Sequence, residues 1–589
     1  MNRLLLLTTG FLIFFSSLSG QSDWQQKVDP VLWGKSGDSP IEFMVMLRAQ
    51  ADLSDAANIH TKEEKALFVF NKLQETAQKT QPEILQVVTE AGAVYRSLYI
   101  VNAIWVLGDM SLIETLASSD KVAWITDNPV YQKAQYEIEA PDLTRGPTAV
   151  EWGIEKINAD DVWAMGFTGQ GVIVGGQDTG YDWTHPALQP KYRGYAPGGS
   201  DHNYNWHDAI HEINPSNNDA DPTDPTNNPC GLDIDAPCDD YGHGTHTMGT
   251  MVGSDGDNQV GVAPDAQWIA ARNMERGAGT PLTYIECFEW FLAPTDLAGE
   301  NPDPTKAPHV IANSWSCPEE EGCNPGNFPL MQLAVDNLKA SGVVVVVSAG
   351  NSGSSCSSVN TPSAIFENSF TVGATAANDT IAGFSSRGPV MVDESGRMKP
   401  NISAPGVGVR STIPGGDYAS YSGTSMAGPH VAGVVALVIS ANPALAGEVE
   451  LIETILEDTA VPKTTDQDCG NTPGTEAPNN TYGYGRIDAL AAVMAALELS
   501  GDTPIESPLK FVEFYPNPFS DELNLKFSFY FGAANIEIMD VSGKLIYQTK
   551  WEISGVKEAV LNLPDLAAGI YLYRIQIASE TLTGKLIKA

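Results

Sequence analysis

Basic residues are scarce in this chain. Of 589 residues, 33 are Lys or Arg and 73 are Asp or Glu, a formal net charge of −40. A phosphate backbone would repel such a chain, which argues against a nucleic-acid partner, and so would an anionic membrane surface. Charged residues of either sign make up only 18%, below the usual quarter. The deficit is not that of a disordered chain. Hydrophobic residues make up 42% and Trp numbers 12, so a large core can be buried. Long apolar runs are missing too. Beyond the N-terminal segment no uninterrupted run approaches the ~20 residues that a membrane-spanning helix needs; the stretch 431–439 is too short. Cysteine is sparse, seven in all, and none falls in the paired CxxC spacing of a zinc site.

What is present begins with a signal. A positive start at Arg3, an apolar run over 4–15 and small residues over 16–20 have the layout of a secretory signal peptide, assigned to 1–20. A membrane anchor would need a longer run. Export permits disulfides. Cys230 with Cys238 and Cys317 with Cys323 each flank a short loop and suit local bridges, while Cys287 with Cys317 competes. An odd number leaves at least one thiol without an intramolecular partner.

The length suggests about three to five domains. Residues 41–48 read as a strand and 61–91 as helical, with Pro82 starting a second helix or kinking the first. Strands follow at 94–98 and 100–107, a helix at 112–118 and a strand at 122–126. This β-α-β-β-α-β order predicts a compact α+β unit within 21–135, with 128–147 as linker. Over 136–500 apolar strands at 171–176, 268–271, 310–313, 343–348 and 369–373 alternate with Gly-rich turns and helices, and a helical stretch at 488–499 closes the region. That pattern predicts an α/β fold with a mostly parallel sheet. Residues 501–511 read as a linker. In 512–589 short alternating strands at 523–527, 535–539, 544–548, 560–563, 571–577 and 582–585 predict a small all-β sandwich.

Three segments of the α/β region sit where such sheets place ligands. A buried strand ends in Gln177-Asp178-Thr179-Gly180; by itself Asp178 reads as a turn residue. Gly242-His243-Gly244-Thr245-His246 places two His three apart, either as metal ligands on one helix face or as one base and one packed ring. Gly423-Thr424-Ser425-Met426-Ala427-Gly428-Pro429-His430 opens an apolar helix; Ser425 is placed either for nucleophilic attack or as a helix cap.

Together, and in this order, the segments resemble the subtilisin-like serine peptidases over roughly 152–496. Further matching segments are Phe384-Ser385-Ser386-Arg387-Gly388-Pro389, Lys399-Pro400-Asn401-Ile402-Ser403-Ala404-Pro405-Gly406 and Gly483-Tyr484-Gly485-Arg486-Ile487-Asp488-Ala489. Trp290-Phe291-Leu292-Ala293-Pro294-Thr295-Asp296 and Asn313-Ser314-Trp315-Ser316 resemble the bacillopeptidase F branch. The resemblance implies a secreted endopeptidase without a catalytic cofactor. Ser425 would be its nucleophile, His243 its base and Asp178 the group that orients the base. His246 would then be the packed ring. Asn351, in Ser348-Ala349-Gly350-Asn351, would donate to the oxyanion. A substrate strand would lie between 313–316 and 348–350, touching Ser314, Trp315, Ser316, Ser348, Ala349 and Gly350. Trp315 suggests apolar or aromatic substrate side chains.

Many members of that family bind calcium structurally. Asp201, Asp219, Asp221, Asp224, Asp233, Asp235, Asp239 and Asp240 crowd one region, but without EF-hand spacing. A calcium site and a solvated acidic loop both stay open, and no ligand is assigned. The N-terminal α+β unit resembles the inhibitor-type propeptide that precedes such domains, with cleavage somewhere in 128–150. Phe514-Tyr515-Pro516-Asn517-Pro518-Phe519, Ile538-Met539-Asp540-Val541-Ser542-Gly543-Lys544 and Leu566-Ala567-Ala568-Gly569-Ile570-Tyr571 resemble the C-terminal sorting domain read by the type IX secretion system of Bacteroidetes. The rival readings are a catalytically inactive binding or adhesion protein of the same fold, and a metal-dependent hydrolase built on His243 and His246.

Overall fold

The computed structural model describes residues 23–35, 40–129, 131–133, 137–139, 150–214, 228–256, 258–316, 324–500, 512–520, 523–561, 563–564, 566–577 and 580–589. The signal peptide, most of the 128–147 linker, the 501–511 linker, Cys317, Cys323, Asp219, Asp221 and Asp224 lie outside these residues.

Seven strands form the central sheet. From one edge they are Ile402–Pro405, Phe370–Thr375, Val344–Ser348, Val310–Asn313, Ile173–Asp178, Gln267–Arg272 and Trp206–Asp208, and every pairing is parallel. Val344–Ser348 and Phe370–Thr375 are buried at every position, which is why they read as unbroken apolar runs rather than alternations. The first strand of the sheet in the chain, Ile173–Asp178, lies in its interior, between Val310–Asn313 and Gln267–Arg272. The chain adds strands on one side of it and then on the other. At such a reversal the carboxyl ends of the strands open a crevice, and Asp178 is the last residue of its strand.

The helix Thr424–Ala441 lies against five of these strands. Every residue but Ser440 is buried. It has the length and mean hydropathy, 1.5, to cross a membrane, but 94% of it is enclosed in the core. Small residues make this fit. A Cβ on Gly433 would stand 2.5 Å from Val262.

The N-terminal unit is a four-stranded antiparallel sheet in the order Val94–Leu98, Ala103–Gly108, Ile41–Leu47 and Val122–Asp127. Pro82 opens a separate helix, Pro82–Glu90, after Lys62–Thr80. Phe43, Val45, Ile104 and Val106 face the unit's own helices, in one core with Ile84, Val88 and Ile113. Met44, Ala103 and Trp105 belong instead to a core shared with Phe288, Trp290, Met331 and Val335 of the α/β region. Both faces of this sheet are therefore covered.

The C-terminal module holds five antiparallel strands, Val512–Tyr515, Asn524–Asp540, Leu545–Val560, Gly569–Ile577 and Glu580–Lys588. Leu523, Leu525, Ile536, Ile538, Ile575 and Leu586 form its core. The stretches 523–527 and 535–539, expected as two strands, are one. Pairing with Leu545–Val560 carries the strand through, with an irregularity between Phe527 and Tyr530.

Candidate active site

Asp178 and His243 meet at the carboxyl end of the sheet. His243 is the first residue of the helix His243–Val252, and its ring is fully buried. Its Nδ1 lies 2.8 Å from each oxygen of Asp178. A carboxylate only accepts, so Nδ1 carries the proton and Nε2 carries the lone pair. Asp178 also accepts the Thr179 N–H at 2.7 Å. Glycine lets the two elements approach, because a Cβ on Gly244 would stand 2.1 Å from the Gly180 carbonyl.

His246 is spent elsewhere. Its Nε2 donates to the carbonyls of Val409 and Ala419, each at 3.1 Å, and its ring stacks on Tyr421. Burial, with His243 next in effect, holds it down to about 3, so it is neutral. The two His of the motif thus have separate commitments. Among the described residues no group of three or more His, Cys, Asp or Glu is placed to hold a metal ion.

Ser425 is the second residue of the helix Thr424–Ala441, where the helix dipole favours negative charge. Pro429 has no N–H to give to the Ser425 carbonyl four residues back, and the Ser314 hydroxyl approaches that carbonyl at 3.5 Å instead. Ser348 donates to the Thr424 carbonyl at 3.0 Å and lies 3.2 Å from the Ser314 hydroxyl. The Asn351 side-chain oxygen accepts the Thr424 N–H at 2.9 Å and its hydroxyl at 2.8 Å. The amide nitrogen is the donor end of the same side chain. The Ser425 hydroxyl oxygen is buried and accepts or donates no hydrogen bond among the described residues.

The chain's own N-terminal segment runs along the walls of this site. Residues 131–133, expected as linker, form a strand between Trp315–Ser316 and Ala278–Gly279. Residues 137–139 form another, antiparallel to Ser420–Ser422, which leads directly into Thr424 and Ser425. Exposed strand edges on the α/β unit thus override the local linker signal. Among the described residues, the strand 131–133 pairs on its second side with Ala278–Gly279 rather than with the expected 348–350. Ser348 is committed to Thr424, Ala349 bonds to Val372 and the Gly350 carbonyl accepts from Ser386. Nothing in the sequence marked Ala278–Gly279 as an edge. Trp315 is 1% exposed and rests on Tyr284, ring centroids 4.0 Å apart, inside the core. It gives no support to the apolar substrate preference read from it.

Two disulfides are described. Cys230–Cys238 is the expected local pair. Cys356–Cys469 spans 113 residues, which spacing could not reveal, and fastens the loop after Asn351. Cys287 is a buried free thiol, which removes its pairing with Cys317. The carboxylates considered for calcium are engaged by protein groups: Asp201 by Asn203, Asp233 by His211, Asp240 by Arg272 and the Arg276 N–H.

The subtilase family model matches residues 169–485. The chain belongs to the subtilase family. A secretion system C-terminal sorting domain matches residues 513–589, which places the protein at the cell surface or outside the cell. The chain is 36% identical to bacillopeptidase F of Bacillus subtilis over 469 residues, 74% of this chain, and spans 29% of that protein's length. It is 33% identical to M-protease of Shouchella clausii over 362 residues, 61% of this chain and 73% of that protein. It is 27% identical to subtilisin E of Bacillus subtilis over 405 residues, 68% of this chain and 87% of that protein. This subtilase therefore carries Asp178, His243, Asn351 and Ser425 within the family's matched region.

Proposed function

We propose that the protein is a secreted serine endopeptidase made as a precursor. The observation that carries this reading is the His243–Asp178 contact, which leaves Nε2 as a base beside a helix N-terminus that presents a serine. Ser425 Oγ attacks the scissile carbonyl while His243 Nε2 takes its proton. The C–N bond then breaks, and the imidazolium returns the proton to the leaving amine. Water hydrolyses the acyl-enzyme by the same relay. Asp178 keeps the proton on Nδ1 and offsets the imidazolium charge. The Asn351 amide and the Ser425 N–H stabilise the oxyanion. The Ser–His hydrogen bond closes as substrate is drawn in, as such bonds often do.

The N-terminal unit acts as propeptide. Its exit strands, 131–133 and 137–139, flank Ser425 on the two walls, so the maturation cut falls between Lys133 and Glu137. Backbone pairing with Ala278–Gly279 and Trp315–Ser316 reads any extended peptide in the same way. The sorting domain hands the protein to the type IX secretion machinery. All four positions hold competent residues, which leaves the inactive-protein reading without support.

A fluorophosphonate should label the wild-type protein, with casein hydrolysed in parallel, and Ser425→Ala should lose both. A folded, processed protein that takes no label would overturn the reading.

A further inference from the structure

We propose that Asp239 is a positioning residue for the reaction: its carboxylate fixes the turn that carries Asp178 against the helix start that carries His243. This rests on the roles given above to those two residues. The carboxylate collects five donors. One oxygen takes the Thr179 hydroxyl at 2.8 Å, the Tyr241 N–H at 3.0 Å and the Gly242 N–H at 2.7 Å. The other takes the Thr245 N–H at 2.9 Å and the Thr245 hydroxyl at 2.5 Å.

Both threonines then reach across to the opposite element. The Thr179 hydroxyl, on the Asp178 side, accepts the Gly244 N–H of the helix at 3.1 Å. The Thr245 hydroxyl, on the His243 side, accepts the Asp182 N–H of the turn at 2.9 Å. Two stitches in opposite directions thus share one carboxylate as their common acceptor. Thr179 and Gly244 are the immediate chain neighbours of Asp178 and His243. A slip in this bracket therefore moves the carboxylate relative to the imidazole.

The segment bearing Asp239 is itself fixed. The Tyr181 N–H donates to the Cys238 carbonyl at 3.1 Å, and Cys238 is bonded to Cys230. Gly180, at φ +109°, admits this approach, since a Cβ there would stand 1.8 Å from the Cys238 carbonyl. Asp240 has a different task. It faces Arg272 at 3.6 Å and takes the Arg276 N–H, outside the bracket.

Asp239→Asn puts an NH₂ where donors already point and removes one acceptor without changing size. It should lower kcat roughly 10- to 100-fold, the scale of a small misplacement near the reacting groups, with KM within about twofold. The low-field proton resonance of the His243 Nδ1–H should move or broaden in the same protein. Asp240→Asn, the same charge change one residue on, should stay within about threefold of wild type. An unchanged kcat, an equal fall at Asp240, or a loss of activity that follows the folded fraction while the resonance stays put would each overturn the proposal. If Asp239→Asn does not fold, Thr179→Val cuts one stitch and is read in the same way. Hydrolysis that survives Ser425→Ala would instead overturn the reading of the site on which this rests.

Discussion

The N-terminal unit and the seven-stranded unit are both sheets packed on helices, but they are held in opposite ways. The first is a small antiparallel sheet. Its hold on the rest of the molecule combines an apolar face with a few polar tips. Arg96 pairs with Glu286, Lys62 donates to the Ala307 carbonyl at 2.8 Å, Lys65 donates to that of Gly447 at 2.7 Å, and the Ile100 N–H reaches Glu289 at 2.8 Å. The second unit is wholly parallel, threaded by an enclosed helix and crossed by a bridge over 113 residues. Non-local pairing of this kind forms slowly. On the reading proposed above, the difference separates a part that leaves from a part that stays, with the cut in the segment between them.

The sharpest break of that comparison is chemical. Ser425→Ala should leave the two parts covalently joined and lower hydrolysis about a million-fold, the scale found for nucleophile loss in a subtilisin. Mass spectrometry of the wild-type protein should find a new N-terminus between residues 134 and 137, and a start elsewhere would refute the placement. Asn351→Leu comes next. It should lower kcat roughly 100- to 1,000-fold at unchanged KM, as for the equivalent donor in subtilisin, and slow maturation in parallel. Equal maturation rates would mean that the two reactions do not share the oxyanion site.

The bridge tests the permanent part. Cys356→Ser with Cys469→Ser should cost the α/β unit roughly 2–4 kcal/mol in denaturant unfolding and leave docking of the N-terminal unit unchanged.

Proton uptake tests the removable one. Burial raises the Glu289 carboxyl to about 8 against the pull of the Ile100 and Tyr99 contacts, with Arg96 and Glu286 as the nearby charges. Once the unit leaves, this carboxyl returns to the ordinary range. Binding therefore takes up a proton, and affinity falls as pH rises from about 5 to 8, by at most about tenfold per unit. Lys62 has the opposite sign above that window, because burial lowers its ammonium to about 8 and binding then releases a proton. Release of the cleaved unit, followed as the onset of hydrolysis, should be fastest near pH 8, and Glu289→Gln should flatten the acid side. A pH-independent onset would count against the interface chemistry. The smallest effect is a null one: a zinc-selective chelator should leave hydrolysis unchanged.

Much of this was legible in the sequence, for reasons that differ by region. The buried parallel strands announce themselves as Val-rich runs, and the β-α-β-β-α-β order survives with strand ends shifted by up to three residues. Asp178, His243, Asn351 and Ser425 were read from motifs at strand ends and helix starts together with the family resemblance, and the structure brings Asp178 to His243 and Asn351 to Thr424. The strands at 131–133 and 137–139 were missed because their partners, Ala278–Gly279 and Ser420–Ser422, are edges supplied by distant segments. Cys356–Cys469 was missed because closure over 113 residues leaves no local trace. Trp315 was read as offering an apolar ring to substrate, but its ring lies against Tyr284 in the core, and a sequence does not say which way a ring turns.

The strand Ile41–Leu47 has no wet side: Phe43 and Val45 sit in one core, and Met44 in the other. On the proposed maturation, that second face would lose Phe288, Trp290, Met331 and Val335 and turn to water. A bare apolar flank of that kind invites aggregation and digestion, so inhibition by a released unit would end with its release.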